Sequence, residues 1–257
     1  MIATAHYSDP DEWPDLGVDT ETRVWRDWLT DPGLGERTFT VAFDDLARSP
    51  SGTRVDAVLR EREGFDRYRD VLVCYITGHA EQHNREHRLI LSTSLPGEKS
   101  SMLPTRQVLE WAMERVKTAL VVVDTCYAGD IATFMSSLDR DLPAGWVVIA
   151  AASAHKQAHV GVLTQAVRAF AETGADQNAQ PYLDYWDLIP ALADALDDQN
   201  WHPFGTPPPR SRSRLLTLPN RHYRPDVDER VPVAAAGRRD VCVGSGGPLG
   251  SAEPRGG

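Results

Sequence analysis

At residues 121–130 the sequence reads Val-Val-Val-Asp-Thr-Cys-Tyr-Ala-Gly-Asp. The apolar run that leads into this stretch begins at Ala119 and ends abruptly at Asp124, where small and polar residues take over. A short β-branched run with a polar end is typical of a strand that is buried on both faces of a parallel sheet. Open α/β sheets bind their ligands at the carboxyl ends of such strands. Cys126 is therefore predicted at a ligand-binding edge, although a cysteine can also be a small buried hydrophobic residue.

A second stretch with the same pattern lies upstream, at residues 70–80, and reads Asp-Val-Leu-Val-Cys-Tyr-Ile-Thr-Gly-His-Ala. Here the apolar run is followed by His79, which precedes Cys126 by 47 residues. That separation accommodates a loop and a crossover helix, and a right-handed crossover would place the two strand ends side by side. An imidazole beside a thiol can act as the base that activates a nucleophile. A loop histidine that is only solvated or hydrogen-bonded is the alternative.

Strands alternate with helices along most of the chain. Strands are predicted at residues 2–6, 39–43, 71–76, 119–123, 146–151 and 215–218, with a further short strand at 89–91. Helices are predicted at residues 19–29, 55–59, 103–116, 131–138, 162–171 and 182–196, whereas 80–87 and 201–213 are predicted as loops. This alternation predicts an α/β sandwich whose sheet is mostly parallel.

Composition limits the class of protein. The 257 residues are 41% apolar and 25% charged, which is ordinary for a globular domain of this length. Residues 1–222 are predicted as one domain, and 223–257 as a disordered tail or linker because they lack apolar periodicity. The net charge of −10 argues against nucleic acid as the main partner.

Cellular location is inferred from similar arguments. No apolar run approaches the roughly 20 residues that span a bilayer, and the first residues lack the basic region of a signal peptide. The three cysteines show neither disulfide nor metal-ligand spacing, which predicts a core residue at Cys74 and a tail residue at Cys242. We therefore expect a cytoplasmic protein without membrane contact.

The two strand-end motifs together resemble a known family. Thr-Gly-His-Ala at 77–80 and Asp-Thr-Cys-Tyr-Ala-Gly-Asp at 124–130 are similar to the histidine and cysteine motifs of the caspase and metacaspase superfamily of cysteine peptidases. The caspase signature Gln-Ala-Cys-x-Gly is absent, so the resemblance is closer to bacterial metacaspase-like members. It covers roughly residues 2–222 and implies a caspase-like three-layer sandwich, with a six-stranded, mostly parallel sheet and helices on both faces.

The resemblance also implies a catalytic dyad. Cys126 would be the nucleophile and His79 the general base that later protonates the leaving amine. The backbone N–H groups of Cys126 and Ala80 would form the oxyanion hole. Family members commonly have glycine where this chain has Ala80, which keeps the donor but allows less backbone freedom.

The specificity pocket follows from the same resemblance. Asp124 would line the pocket together with Thr77, and a second acid would come from Glu21 or from Asp19. Two carboxylates favour a basic side chain, so the expected substrate is a protein or peptide with Arg or Lys at the cleavage site. Without the resemblance, Asp124 could equally cap a turn at the strand end.

The sequence gives less support to a metal site or to a phosphatase site. His79, His83 and His87 have a spacing that could bind zinc on a helix, but Gly78 indicates a loop, so no metal site is expected. A phosphatase loop would need Arg six residues after the cysteine, where this chain has Ala132. No cofactor is expected, and calcium dependence is left open.

The sequence therefore predicts a cysteine endopeptidase with a Cys-His dyad that cleaves after Arg or Lys. The alternative is a catalytically inactive module of the same fold that binds partners or scaffolds an assembly. The tail is compatible with membership in a larger signalling or defence assembly.

Overall fold

The computed structural model describes residues 1–39, 47–61, 66–138, 145–153, 159, 161–173, 180–199, 201–209 and 215–223. Residues Met1–Tyr223 form one compact unit. The predicted strand at 39–43, apart from Phe39, lies outside the described residues, as do Cys242 and the rest of the tail after Tyr223.

The described residues contain eleven short strands and six α-helices. The strands are β1 (Ile2–Thr4), β2 (Ala47–Arg48), β3 (Val71–Gly78), β4 (Ala80–His83), β5 (Glu86–Leu89), β6 (Leu103–Pro104), β7 (Thr118–Thr125), β8 (Trp146–Ala150), β9 (Tyr182–Asp184), β10 (His202–Gly205) and β11 (Thr217–Pro219). The helices are α1 (Asp19–Leu29), α2 (Gly52–Asp56), α3 (Thr105–Arg115), α4 (Ile131–Ser137), α5 (Val162–Thr173) and α6 (Tyr185–Ala195).

A six-stranded sheet forms the centre of the unit, in the order β10-β8-β7-β3-β1-β2. All neighbouring pairs are parallel except β10 and β8, which are antiparallel. The prediction of a mixed α/β fold with a mainly parallel central sheet is thus confirmed. From β1 the chain goes first to β2 on one side and then to β3 on the other, so the strand order reverses between β1 and β3. Crevices at such reversals are where open α/β sheets bind ligands.

Both faces of the sheet are covered by helices. One buried cluster joins the sheet to α2, α3 and α4, and the other joins it to α1, α5 and α6. The side chains of β7 alternate between these clusters, with Val121 and Val123 in the first and Leu120 and Val122 in the second. This alternation follows from the two-residue period of a strand. No helix in the described segments is long and apolar enough to cross a bilayer.

The sixth strand of the sheet is not the predicted one. Residues 215–218 were expected to join the sheet, but β11 pairs with β9 in a separate two-stranded sheet. The sixth strand is instead β10, which lies in the predicted loop at 201–213 and pairs Pro203 with Ile149. Its sequence, His-Pro-Phe-Gly, shows no apolar alternation, and proline is tolerated in a strand only at an edge or bulge.

Two further segments differ from the sequence prediction. Residues 80–87, predicted as a loop, lie mainly in the hairpin β4–β5, whose turn places Asn84 and Arg85 at positive φ angles of 52° and 61°. Two consecutive positive φ values are typical of a tight hairpin turn. The predicted helix at 182–196 begins only at Tyr185, because Asp184 and Asp187 form a capping box there.

Candidate active site

His79 and Cys126 follow neighbouring strands of the central sheet. The parallel pairing of β3 with β7 places Gly78 opposite Thr125, and the two residues are the next along each strand. Both side chains are partly exposed. The structure therefore brings the two residues of the predicted dyad to adjacent strand ends on one edge of the sheet.

The ring of His79 is oriented by a backbone carbonyl. Its Nε2 lies 2.8 Å from the carbonyl oxygen of Pro14, in the segment that follows β1. Because a carbonyl oxygen can only accept, Nε2 carries the hydrogen and Nδ1 is the unprotonated nitrogen of the neutral ring. The ring is thus prepared to take a proton at Nδ1. Sequence reasoning did not identify Pro14, since a backbone acceptor leaves no side-chain signal.

Tyr7 holds the backbone of His79. Its hydroxyl accepts the His79 N–H at 2.8 Å and donates to the carbonyl of Thr4 at 2.9 Å. The two rings also pack together, with centroids 4.9 Å apart. Burial raises the pKa of Tyr7, the His79 N–H bond lowers it, and the nearby charges of Asp15 and Cys126 raise it further. Tyr7 therefore remains a neutral phenol next to both members of the dyad.

Gly78 makes this arrangement possible. Its φ angle is +141°, and a Cβ at this position would lie 3.1 Å from the Tyr7 hydroxyl and 3.3 Å from the Cβ of Thr4. A larger residue would therefore both strain the backbone and push Tyr7 away from His79.

Asp124 is buried beside the dyad, on the α1/α5 side of the sheet. Its side chain is 2% exposed, and its Oδ2 accepts from the Tyr75 hydroxyl at 3.0 Å. Burial raises the pKa of Asp124 to about 7, the Tyr75 bond lowers it, and the charge of Glu21 raises it. No described residue hydrogen-bonds to its second oxygen, Oδ1. Such an atom is unusual, since buried polar groups are nearly always paired.

Thr77 and Glu21 present the same feature. Thr77 is the cross-strand neighbour of Asp124. Its Oγ1 is buried and makes no hydrogen bond of normal geometry with a described residue, although it lies close enough to the Tyr75 hydroxyl to lower the pKa of Tyr75. The Oε2 of Glu21, on α1, is likewise buried and without a partner among the residues described. Asp19 instead points to solvent and forms an ion pair with Arg48 at 3.1 Å. The structure thus brings Asp124, Thr77 and Glu21 together and leaves Asp19 outside the cluster.

The backbone of Ala80 is oriented away from its hairpin. The carbonyl of His79 accepts from the N–H of Ile90 in the same antiparallel pairing that joins Ala80 to Leu89. Hydrogen-bonded and non-hydrogen-bonded pairs alternate along an antiparallel ladder, so the N–H of Ala80 points away from β5. The hairpin therefore does not use the N–H of Ala80.

His87 contacts the backbone of Cys126 from the opposite side of β7. The imidazole is 3% exposed, with Nδ1 2.6 Å from Thr105 Oγ1 and Nε2 3.0 Å from the Cys126 carbonyl oxygen. Nε2 also lies 2.9 Å from Thr125 Oγ1. Because the carbonyl needs a donor, Nε2 carries the hydrogen and Nδ1 accepts from Thr105. Burial lowers the pKa of His87 to about 4, while its bond to Cys126 raises it, so the ring is neutral at pH 7.

The peptide that His87 holds leads into a strained turn. Tyr127, directly after Cys126, has a φ angle of +59°, which is uncommon for a residue with a Cβ. The bond to His87 fixes the carbonyl that precedes it. Sequence reasoning considered His87 only as a possible zinc ligand and rejected that role, because its segment was predicted as a loop.

The structure also shows where the three histidines of the possible zinc site lie, and where Cys74 lies. Within the described segments, no group of three or more His, Cys, Asp or Glu side chains is arranged to hold a metal ion. His79, His83 and His87 are spread over the strand end and the hairpin, and His79 and His87 have the separate partners described above. Cys74 is buried in the core, where burial raises the pKa of its thiol. A buried thiol of raised pKa is a poor nucleophile.

No protein-family model matches this sequence, and none of the curated proteins searched matches it either.

Proposed function

We propose that this chain is a cysteine endopeptidase of the caspase and metacaspase type, which cleaves polypeptides after Arg or Lys. One observation carries the proposal. Asp124 Oδ1, Thr77 Oγ1 and Glu21 Oε2 are buried oxygens that lack a hydrogen bond to any described residue, and they belong to one cluster at the strand end that presents Cys126. A guanidinium has five N–H donors and an ammonium three, so a basic substrate side chain supplies what these oxygens lack.

Charge favours the same substrate. Asp124 and Glu21 influence each other electrostatically, and burial disfavours the ionised form of Asp124. A bound cation offsets both effects, because an opposite charge within a few ångströms stabilises a carboxylate. A substrate Asp would add a third negative group, so the cluster excludes acidic side chains from the residue before the cleaved bond.

The dyad geometry supports acyl transfer. In the proposed reaction, Nδ1 of His79 takes the proton of the Cys126 thiol while Nε2–H remains on the Pro14 carbonyl. The sulfur then attacks the substrate carbonyl, and the resulting oxyanion accepts hydrogen bonds from the N–H groups of Cys126 and Ala80. Collapse of this intermediate breaks the C–N bond, and the proton on His79 goes to the leaving amine.

The second half of the reaction restores the enzyme. Water loses a proton to Nδ1 of His79 and attacks the thioester carbonyl, which releases the carboxylic acid and returns the proton to the thiolate of Cys126. Each step uses the same nitrogen of His79, so the Pro14 contact serves both halves. A reducing compartment would keep the Cys126 sulfur reactive, and we therefore place the enzyme in the cytoplasm.

The test uses peptides that differ only in the residue before a fluorogenic leaving group: Arg, Lys, Asp or Leu. We expect cleavage of the Arg and Lys peptides and labelling of Cys126 by a thiol-reactive probe with a basic recognition residue. Cys126→Ala should abolish both signals, whereas Cys74→Ala should retain them. A folded wild-type protein that neither cleaves nor is labelled would contradict the peptidase proposal and favour an inactive scaffold.

A further inference from the structure

A cavity lies on the other side of β7 from Asp124, Thr77 and Glu21, which together are called the acidic cluster. It is an open cavity of about 530 Å³, lined by the turn of hairpin β4–β5, the first turn of α3 and the beginning of α4. Its lining includes Arg85, His87, Arg106 and Asp130. None of these residues belongs to the acidic cluster or to the proposed dyad.

The cavity adjoins the peptide that bears Cys126. His87, which forms part of its lining, is the residue whose Nε2 lies 3.0 Å from the Cys126 carbonyl oxygen. The strand alternation separates the cavity from the acidic cluster, since Asp124 bonds to Tyr75 on one face of β7 while Thr125 contacts His87 on the other. The acidic cluster and the cavity therefore lie on opposite faces of β7, with the peptide of Cys126 between them.

Two arginines of the cavity lining, Arg85 and Arg106, carry charges that are weakly matched. Arg85 is exposed at the hairpin turn and makes no ion pair with any described residue. Arg106 pairs only loosely with Glu110, at 3.5 Å, with both side chains about half exposed, and such pairs contribute little. Arg106 also lies in the first turn of α3, where the helix dipole adds positive potential.

The other charged residues of the lining are already engaged or lie deeper. Arg88 donates to Glu86 at 2.5 Å and to the carbonyl of Lys99 at 3.0 Å, so its charge is largely matched. Asp130 is 7% exposed. An anionic group would therefore be held near Arg85 and Arg106 at the rim and kept from the interior by Asp130.

We infer that this cavity is a substrate subsite for the leaving-group side of the cleaved peptide, and that it takes an Asp or Glu side chain one or two residues after the cleaved bond. The inference rests on the proposed peptidase function and deepens it. The two sides of Cys126 then have opposite preferences, with a cation bound before the bond and an anion after it. The carboxylate would bind Arg85 and Arg106 through charge-assisted hydrogen bonds.

The experiment compares internally quenched peptides that share Arg before the cleaved bond and differ in the two residues after it. These residues are Asp-Glu, Ala-Ala or Lys-Lys. For the wild type we expect kcat/KM to be roughly two- to tenfold higher for the acidic peptide than for the neutral one. The expected difference is small because ion pairs with partly exposed cations contribute little binding energy. The basic peptide should be cleaved least efficiently. The preference should weaken as salt concentration rises.

The double variant Arg85→Ala/Arg106→Ala should bring the ratio of acidic to neutral peptide close to one, and Arg85→Glu/Arg106→Glu should favour the basic peptide. Arg168→Ala is the matched control. Arg168 lies on α5 and pairs with Glu172 four residues later, as Arg106 pairs with Glu110, and its side chain is similarly exposed. This control should keep the wild-type ratio.

The outcomes separate the two proposals. If the wild type cleaves after Arg with equal efficiency for all three peptides, the subsite is refuted while the peptidase stands. The same holds if the Arg85/Arg106 variants keep the wild-type ratio. If no peptide is cleaved by folded protein, the peptidase proposal fails, and the subsite fails with it.

Discussion

The hydroxyl of Tyr7 accepts a hydrogen bond of 2.8 Å from the backbone nitrogen of His79. Tyr7→Phe removes this acceptor but keeps the ring that packs on the imidazole. An unsatisfied N–H costs about 1–3 kcal/mol, and the loss should appear as a five- to hundredfold lower kcat with little change in KM, because Tyr7 positions the base and does not bind substrate. Steady-state kinetics on an Arg peptide measure this.

Tyr68→Phe serves as the control for that variant. Tyr68 is 79% exposed and precedes β3, at the opposite end of that strand from His79, so its substitution should leave both kinetic constants unchanged. An equal loss of kcat in the two variants would contradict the role given to Tyr7.

Asp124→Asn should stabilise the protein while removing its preference for Arg. The folded-state pKa of Asp124, about 7, lies above its ordinary value of 3.8, so the folded protein holds a proton that the unfolded chain has lost. Stability contributed by this group is therefore complete below about pH 4 and decreases as pH rises towards 7. We expect the variant to gain on the order of 0.5–2 kcal/mol at pH 8 and almost nothing at pH 4.

Chemical denaturation of both proteins at the two pH values measures this difference. The low pKa of His87, about 4, has the opposite effect, because the unfolded chain takes up a proton from pH 6.5 downwards and the folded protein does not. This contribution is common to both proteins and cancels in the comparison. A variant less stable than wild type at pH 8 would contradict a buried, uncompensated carboxylate at this position.

The preference for basic substrates should depend on pH. Only ionised Asp124 attracts a cation, so the ratio of kcat/KM for an Arg peptide to that for a matched Leu peptide should increase from pH 5.5, with its midpoint near pH 7, and level off above about pH 8. Taking the ratio removes the titration of the dyad, which acts on both peptides alike. A ratio that stays constant over this range would exclude Asp124 as the titrating group.

Glu21 and Asp19 are expected to differ sharply when neutralised. Glu21→Gln removes a charge that acts on Asp124, and the efficiency on Arg peptides should decrease by roughly three- to thirtyfold, as for loss of one charge-assisted bond. Asp19→Asn breaks only an exposed ion pair with Arg48 and should leave efficiency within twofold of wild type. The reverse order of effects would assign the second pocket acid to Asp19.

Thr105→Val tests the tautomer of His87 without removing the ring. Thr105 donates to Nδ1, and without this donor the hydrogen can move to Nδ1, which leaves the Cys126 carbonyl facing an acceptor. We expect kcat to fall several-fold with KM unchanged, and alkylation of Cys126 to slow, while the melting temperature changes little.

Thr22→Val provides a comparison for Thr105→Val. Thr22 is also a buried helical threonine, but its hydroxyl bonds only to carbonyls of its own helix region. Its substitution tests the general effect of removing a buried hydroxyl. If both variants lose activity to the same extent, His87 has no specific role in positioning Cys126.

The sequence alone located most of the main elements along the chain and the strand ends that carry His79 and Cys126. Hydrophobic periodicity is a local signal, and buried strands such as β3 and β7 must be nearly continuous apolar runs. The sharp change from apolar to polar residues after each run therefore located the edge of the sheet. The edge strand β10 was not predicted. It is exposed and contains Pro203, so its sequence lacks the apolar pattern of a buried strand.

Only the tertiary structure decided which groups orient the proposed dyad and which acid lies near Asp124. Pro14, Tyr7 and His87 lie 65, 72 and 39 positions from the atoms to which they bond, and no local pattern encodes such pairings. Glu21 rather than Asp19 faces Asp124, because the packing of α1 turns one of two nearby carboxylates inwards and leaves the other in solvent. Hydrogen-bond direction depends on how whole elements pack, and that information appears only when the chain is folded.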